Sequence, residues 1–277
     1  MYEMSSERRR PQRTAEREAR ARRRRPPRAE PELIWMREEP RGRRPSHTRS
    51  EIARAAVEIA DSEGFDAVSM RRVARHLGAG TMTLYYYVRN KDELITLMVD
   101  EVMGQLLIPD EELADDWRAA LTQIAVRSRA VFMGHRWTLD RLDDNHPGPN
   151  GMRHFEQSLR AVASLDVDDA LRFELIGQVD DYVFGYALRE LQEEAENERG
   201  WPPEVVAFLQ HELDSGEYPL IRRFLGDDAK AGIERIVATI GDDDRFARGF
   251  KRLLDGFEAE LAEKAPRTRS ARRKAGK

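Results

Sequence analysis

The sequence predicts an all-α protein: an N-terminal three-helix, helix-turn-helix head joined by a connecting helix to a larger helical bundle. Three observations predict it. Apolar residues recur at steps of three and four from Ile52 to Leu261. Nothing alternates with period two over a useful length, and no internal repeat is present. Residues 68–93, VSMRRVARHLGAGTMTLYYYVRNKDE, read as helix, sharp turn, helix.

In that stretch Met70, Val73, Ala74 and Leu77 stand at i, i+3, i+4 and i+7, with Ser69 placed to cap the helix and Gly78 to stop it. Gly78-Ala79-Gly80 supplies a turn that tolerates unusual φ angles, and Thr81 is expected to cap a second short helix running through Tyr87. A preceding helix starts at Ser46 or Thr48, carries Ile52, Ala56, Ile59 and Ala60 as a stripe, and ends at Gly64. Asn90 caps the following one, from Lys91 to about Leu107, with Leu94, Met98, Val102 and Leu106 at four-residue steps. Between Ser69 and Lys91 stand Arg71, Arg72, Arg75, Arg89 and Lys91 with no carboxylate. A basic island in an acidic chain points to phosphate.

The 277 residues carry a net charge of −4, distributed unevenly. Residues 1–45 hold 15 Arg against 8 acids, and residues 264–277 hold 7 Lys and Arg and no acid. Residues 46–107 amount to −2 and residues 108–263 to −16. An acidic body therefore lies between basic ends and would repel a polyanion. Six prolines and long charge runs make 1–45 a disordered basic arm, in which Arg43 and Arg44 adjoin the head and are candidates for a groove or phosphate contact. Leu33, Ile34, Trp35 and Met36 interrupt it, too few for a core of their own, and 264–277 reads as a disordered basic tail. No window of 18 apolar residues and no signal-peptide pattern is found, so a soluble, cytoplasmic protein with no membrane partner is expected. Zero cysteines exclude disulfides, thiolate metal sites and cysteine nucleophiles.

Beyond the break at Ile108-Pro109-Asp110, residues 108–263 form the second domain. Trp117, Leu121, Ile124, Ala125 and Ser128 line a helix reaching about Gly134, and a shorter one starts at His135-Arg136-Trp137. Asn150 is expected to cap a helix to about Ser164. Residues 168–195 are the most apolar segment, with Leu171, Leu175, Val179, Val183, Tyr186 and Leu191 on one face and Phe173, Ile176, Phe184 and Leu188 on another. A polar exit follows from Glu193 to Pro203, then a helix around 204–215, a loop containing Tyr218-Pro219, and a helix from about Asp227 to Ile240. The last helix carries Phe246, Phe250, Leu253, Leu254, Phe257 and Leu261, with Gly249 and Gly256 allowing close approach.

With its preceding helix, LGAGTMTLYYYVRNKDELITLM closely resembles the DNA-binding domain of the tetracycline-repressor (TetR/AcrR) family over about 47–107. HRWTLDRL, HPGPN, DDYVFGYALRE and RGFKRLLDGFEAEL resemble the regulatory domain of its tetracycline-repressor type. The resemblance implies a ligand-binding and dimerisation bundle, and gives Thr81, Met82, Thr83, Tyr85, Tyr86 and Tyr87 to a recognition helix. It gives Ser69, Met70, Arg71 and Lys91 to flanking phosphate contacts. Threonine hydroxyls can bond base edges in the major groove, and Tyr86 and Tyr87 are expected to face DNA while Tyr85 packs. The implied partners are double-stranded operator DNA, a second copy of the chain and a small-molecule effector, taken to be hydrophobic. Segments 168–195 and 243–263 would build the intersubunit bundle, with Val179, Val183, Tyr186, Phe250, Leu253 and Phe257 as interface candidates. Trp137, Phe155, Gln178, Asp181 and Tyr182 are the candidate ligand residues, the last three sharing a helical face.

Rival chemistries are weaker. His135, His146 and His154 lack the i, i+3 or i+4 spacing of a helical metal pair, so neither a metal nor another cofactor is expected. Asp180 and Asp181 suggest poised acids, but neighbours on a helix point about 100° apart and do not converge on one substrate. No enzyme is expected. The alternative to a ligand-released repressor is a ligand-independent dimer that binds DNA and recruits partners through its tails.

Overall fold

A computed structural model describes residues 32–40, 47–141, 146–240 and 244–264. The chain divides after Arg44. In the first unit a single 3₁₀ turn, Ile34–Met36, is the described element, closed by Met36 N–H donating to Leu33 O at 2.9 Å. Arg43, Arg44 and the tail 265–277 lie outside the described residues.

Among the described residues the second unit contains eleven α-helices and no strand. They are α1 (Arg49–Glu63), α2 (Met70–His76), α3 (Thr81–Tyr87), α4 (Lys91–Gln105), α5 (Trp117–Gly134), α6 (Pro149–Ala161), α7 (Asp169–Arg199), α8 (Pro203–Ser215), α9 (Pro219–Leu225), α10 (Ala229–Ile240) and α11 (Asp244–Lys264).

Local chemistry starts the head helices. Thr48 and Glu51 form a reciprocal capping box on α1, Ser69 accepts from Arg72 N–H on α2, and Asn90 accepts from Glu93 N–H on α4. Gly78 takes φ +64°, as a turn that must reverse quickly between two helices requires. Gly80, not Thr81, occupies the cap position of α3; Thr81 is the first helical residue and makes no capping bond. Ile52, Ile59, Val73, Leu84, Val88, Leu94 and Met98 fill the core under the turn.

α4 is shared by head and body. It packs on α1, with Glu101 accepting from Ser50 and Arg54, and on α6. α6 begins with Gly148 as cap and Pro149 in its first turn, which displaces Asn150 from the cap expected of it. The main body core joins Leu121, Ile124, Leu175, Val179, Val183, Phe250, Leu254 and Phe257 from α5, α7 and α11. α7 runs through the polar exit to Arg199, because Glu and Arg are good helix formers and Gly200, at φ +66°, is the first residue to stop it. The loop expected around Tyr218-Pro219 is the start of α9, where Pro219 at the first helical position is compatible with a helix. α8, α9 and α10 close over a second small core of Leu213, Leu225, Ala229 and Ile233. Gly249 permits the close approach expected of it, since a Cβ there would collide with the Tyr182 hydroxyl, whereas a Cβ at Gly256 would meet nothing within 4 Å among the described residues.

Candidate nucleic-acid interface and effector cavity

α3 is amphipathic over two turns. Leu84, Tyr87 and Val88 are buried, and Met82 (79% exposed), Tyr86 (68%) and Tyr85 (44%) point outward with the partly exposed Thr81 and Thr83. This changes the reading of the tyrosines. Tyr87, paired with Tyr86 in the sequence analysis, is a core residue 4% exposed, its backbone O accepting from Arg49 Nε at 3.3 Å. Tyr85, expected to pack, is open. The inward positions are 84, 87 and 88, one helical stripe, which excludes 85 by about 100°. Met70 is also buried, so its side chain packs under α2 instead of facing outward.

Cations surround the exposed face unevenly. Arg71, Arg75, Arg89 and Lys91 are exposed beside it, with Lys91 Nζ 5.4 Å from the Phe65 ring. Arg72 is instead paired to the Glu63 carboxylate, whose pKa its hydrogen bond lowers. The Ser69 hydroxyl already caps α2.

A cavity of about 250 Å³ lies where the head's connecting helix meets the body. Thr96, Val99, Asp100 and Met103 of α4, His146, Pro147 and Gly148, then Gly151, His154, Phe155 and Ser158 of α6, and Asp180 of α7 line it. Of the five ligand candidates, only Phe155 is among them. Gln178 is exposed and donates to Glu174. Asp181 is exposed, and its neighbour Asp180 turns to the cavity instead. Tyr182 donates to Phe246 O at 2.9 Å and packs with Tyr186, Phe246 and Phe250. Asp180 and Asp181 are one residue, about 100°, apart on the helix, and only the former reaches the cavity.

Trp137 has a different place. Its Nε1 donates to Asp61 at 2.9 Å and its ring stacks on Phe65 at 5.6 Å, both at the far end of α1. His135 Nδ1 donates to the same carboxylate at 2.9 Å, and its Nε2 lies 3.0 Å from Gln105 Oε1. Arg141 lies over Phe65, 4.6 Å from its centroid. These side chains clasp the head to the body instead of lining a pocket.

Inside the cavity, polar groups are unusually buried. Asp100, 6% exposed, accepts from the N–H groups of Asn150 (2.9 Å) and Gly151 (3.1 Å), standing in for the missing cap of α6. Burial pushes its carboxyl pKa up despite those bonds. His154, 8% exposed, leaves Nδ1 without a hydrogen-bond partner, and burial holds its pKa down to about 4. Asp180 stands at the rim, with surface open to solvent, but protein encloses its carboxyl on most sides. That desolvation and the adjacent Asp181 charge push it up to about 6. His154, His146 and Asp180 stood out in the sequence only as weak metal or acid candidates, and Asp100 not at all. The available signal was Asp100 directly after the apolar run Leu97-Met98-Val99 and before Val102, in a helix whose stripe should be dry.

The interface candidates divide. Val179, Val183, Phe250 and Phe257 are 5% exposed or less within the chain's own core, so they have no area left for a partner. Tyr186 and Leu253 are only partly covered. Large apolar side chains stay open elsewhere, at Phe173 (62%), Leu220 (76%) and Phe224 (71%).

Comparison with known proteins gives a consistent family. Residues 52–98 match the model for bacterial regulatory proteins of the tetR family, and residues 108–261 match that for the tetracyclin repressor-like C-terminal domain. The HTH-type transcriptional repressor DrrR1 of Streptomyces coeruleorubidus is 37% identical over 84% of this chain and 86% of its own. The class E tetracycline repressor protein of Escherichia coli is 24% identical over 78% of this chain and 92% of its own. Among solved structures, the Streptomyces coelicolor TetR family protein ActR in complex with (S)-DNPA aligns with TM-score 0.58 and 28% identity, over 78% of this chain and 98% of its own. The same protein with actinorhodin aligns at 0.56 and 27%, over 77% and 96%.

Proposed function

The chain belongs to the tetR family of bacterial transcriptional regulators, and from that premise we propose that it is a homodimeric repressor released from a pseudo-palindromic operator by a small molecule. The observation that carries this reading is the double use of α4. Leu94 and Met98 sit in the head's core, while Thr96, Val99, Asp100 and Met103 on the same helix line the cavity. A molecule that prefers one position of α4 biases the position of the head, and that difference in affinity is the signal. The two ActR complexes, with actinorhodin and with (S)-DNPA, support a small-molecule effector for a fold of this kind.

DNA reading belongs to Thr81, Met82, Thr83, Tyr85 and Tyr86, with Arg71, Arg75, Arg89 and Lys91 on phosphates. A seven-residue helix reads too few base pairs alone, so two heads are needed about 35 Å apart on successive turns of DNA. The open apolar side chains of α7 and α9 supply area for a second copy.

The test uses the DNA flanking the protein's own coding region in gel shifts. Thr83→Ala with Tyr86→Ala should abolish specific binding while sedimentation still gives a dimer; loss of the dimer would mean that α3 is a packing helix. Titrating a broad panel of apolar compounds should release wild-type protein from DNA. If none does, the ligand-independent alternative replaces the switch.

A further inference from the structure

The charge of the cavity restricts what enters it. Among its described lining residues are two carboxylates, Asp100 and Asp180, and no Lys or Arg. The N-terminus of α6, which opens onto the same space through Gly148 and Gly151, would by itself favour an anion. Asp100 already occupies it, taking both available N–H groups. Arg153 donates to Asn150 Oδ1 at 2.7 Å, and its charge acts on Asp100. Among the described residues Asp180 has no ion-pair or hydrogen-bond partner, and the next residue along the helix, Asp181, adds a second negative charge. His154 adds a buried ring nitrogen with no partner in the protein. Val99, Met103 and Phe155 provide the apolar wall.

We propose that the effector is an apolar compound bearing a basic amine, with its ammonium against Asp180, a polar group within reach of His154, and its hydrocarbon body on Val99, Met103 and Phe155. This rests on the effector reading above. An ammonium would return to Asp180 the charged form that desolvation and Asp181 disfavour, so pairing there relieves an existing electrostatic cost. A carboxylate ligand would meet two acids and no counter-ion.

The experiment compares 1-naphthylmethylamine, its uncharged N-acetyl amide and 1-naphthylacetic acid, titrated calorimetrically into the full chain and then into its operator complex. The amine should bind about tenfold more tightly than either of the others and should release DNA at correspondingly lower concentration. Asp180→Asn should bring the amine to the level of the amide without changing the amide, whereas Asp181→Asn should leave the order intact. Circular dichroism checks that both variants fold. Acid or amide binding as tight as the amine in wild type, or an amine preference that survives Asp180→Asn, overturns the amine assignment alone. If none of the three binds, the amine assignment falls, and the effector reading stands or falls separately on the titration of the broad panel.

Discussion

The head and the body are both helical, but they are held together over different sequence distances. In the head, each helix start before α3 and at α4 is closed by a side chain three residues away: Thr48 to Glu51, Ser69 to Arg72, Asn90 to Glu93. In the body Asp116 and Asp168 cap α5 and α7 in the same local way, but the start of α6 is closed by Asp100, 50 residues earlier, and Gln157 secures both backbone groups of Ile108, 49 residues earlier. Arg118 reaches Asp255 and Glu258, 137 and 140 residues on. Local closure sets where the helices of the head begin, while Trp137 and α4 tie that reader to the body. Long-range closure through α4 makes the body a place where an inserted molecule can be felt in the head.

Substitutions in the two regions can break or sharpen that contrast. The largest effect is expected inside α3, where Tyr87→Ala should cost about 3–5 kcal/mol by opening a cavity in the head. Urea denaturation measures it, and a cost near zero would return Tyr87 to the reading face. In the body, burial holds His154 near 4 against an ordinary 6.5, so the folded chain refuses a proton that the unfolded chain accepts. Its contribution is intact above about 6.5 and is lost as pH falls through about 4, by roughly 3 kcal/mol. His154→Phe should remove that part of the acid sensitivity, read from denaturation midpoints at pH 7 and pH 4.

Gln157→Leu leaves the Ile108 N–H and C=O buried and unpaired, and should cost about 2 kcal/mol in calorimetry while sparing DNA affinity in any molecule that stays folded. Asp180 runs opposite to His154 with pH. Its raised pKa means the folded carboxyl keeps a proton the unfolded one releases, so stability is fullest below 3.8 and declines as pH rises to about 6. Allowing for its exposure, Asp180→Asn should gain about 1 kcal/mol at pH 7, measured as a raised melting temperature. The smallest stability effect belongs to Tyr86→Ala, within about 0.5 kcal/mol, because its ring is open to solvent. Paired with Tyr87→Ala, it separates reading from packing on adjacent residues of one helix.

Much of the head was legible because its determinants lie within one or two helical turns. Caps at Ser69 and Asn90, the stop at Gly78 and the stripe Leu94, Met98, Val102, Leu106 all follow from spacing, as does the placement of Met82 and Tyr86 on one side of α3. Where local rules competed, they misled: Thr81 loses the cap position to Gly80, and the proline that reads as a loop at Tyr218-Pro219 starts a helix. As a ligand site the cavity was legible only through Phe155; His146, His154 and Asp180 were noticed in the sequence for chemistries that they do not perform together. Asp100, His154 and Asp180 come together from three helices, and apolar periodicity records that a face is buried without recording which neighbour buries it. The same gap assigned Val179, Val183, Phe250 and Phe257 to a partner when their own chain covers them.

By itself, then, the sequence determined an all-helical chain, a basic helix-turn-helix and an acidic bundle, since caps, turns and 3.6-residue periodicity act between residues close along the chain. Only the tertiary structure decided that α4 serves head and body at once, that Trp137 clasps instead of lining a pocket, and that Asp180 faces the cavity while Asp181 does not. Those outcomes depend on the rotation of each helix against distant partners, and a difference of one residue, about 100°, exchanges a pocket side chain for a solvent one.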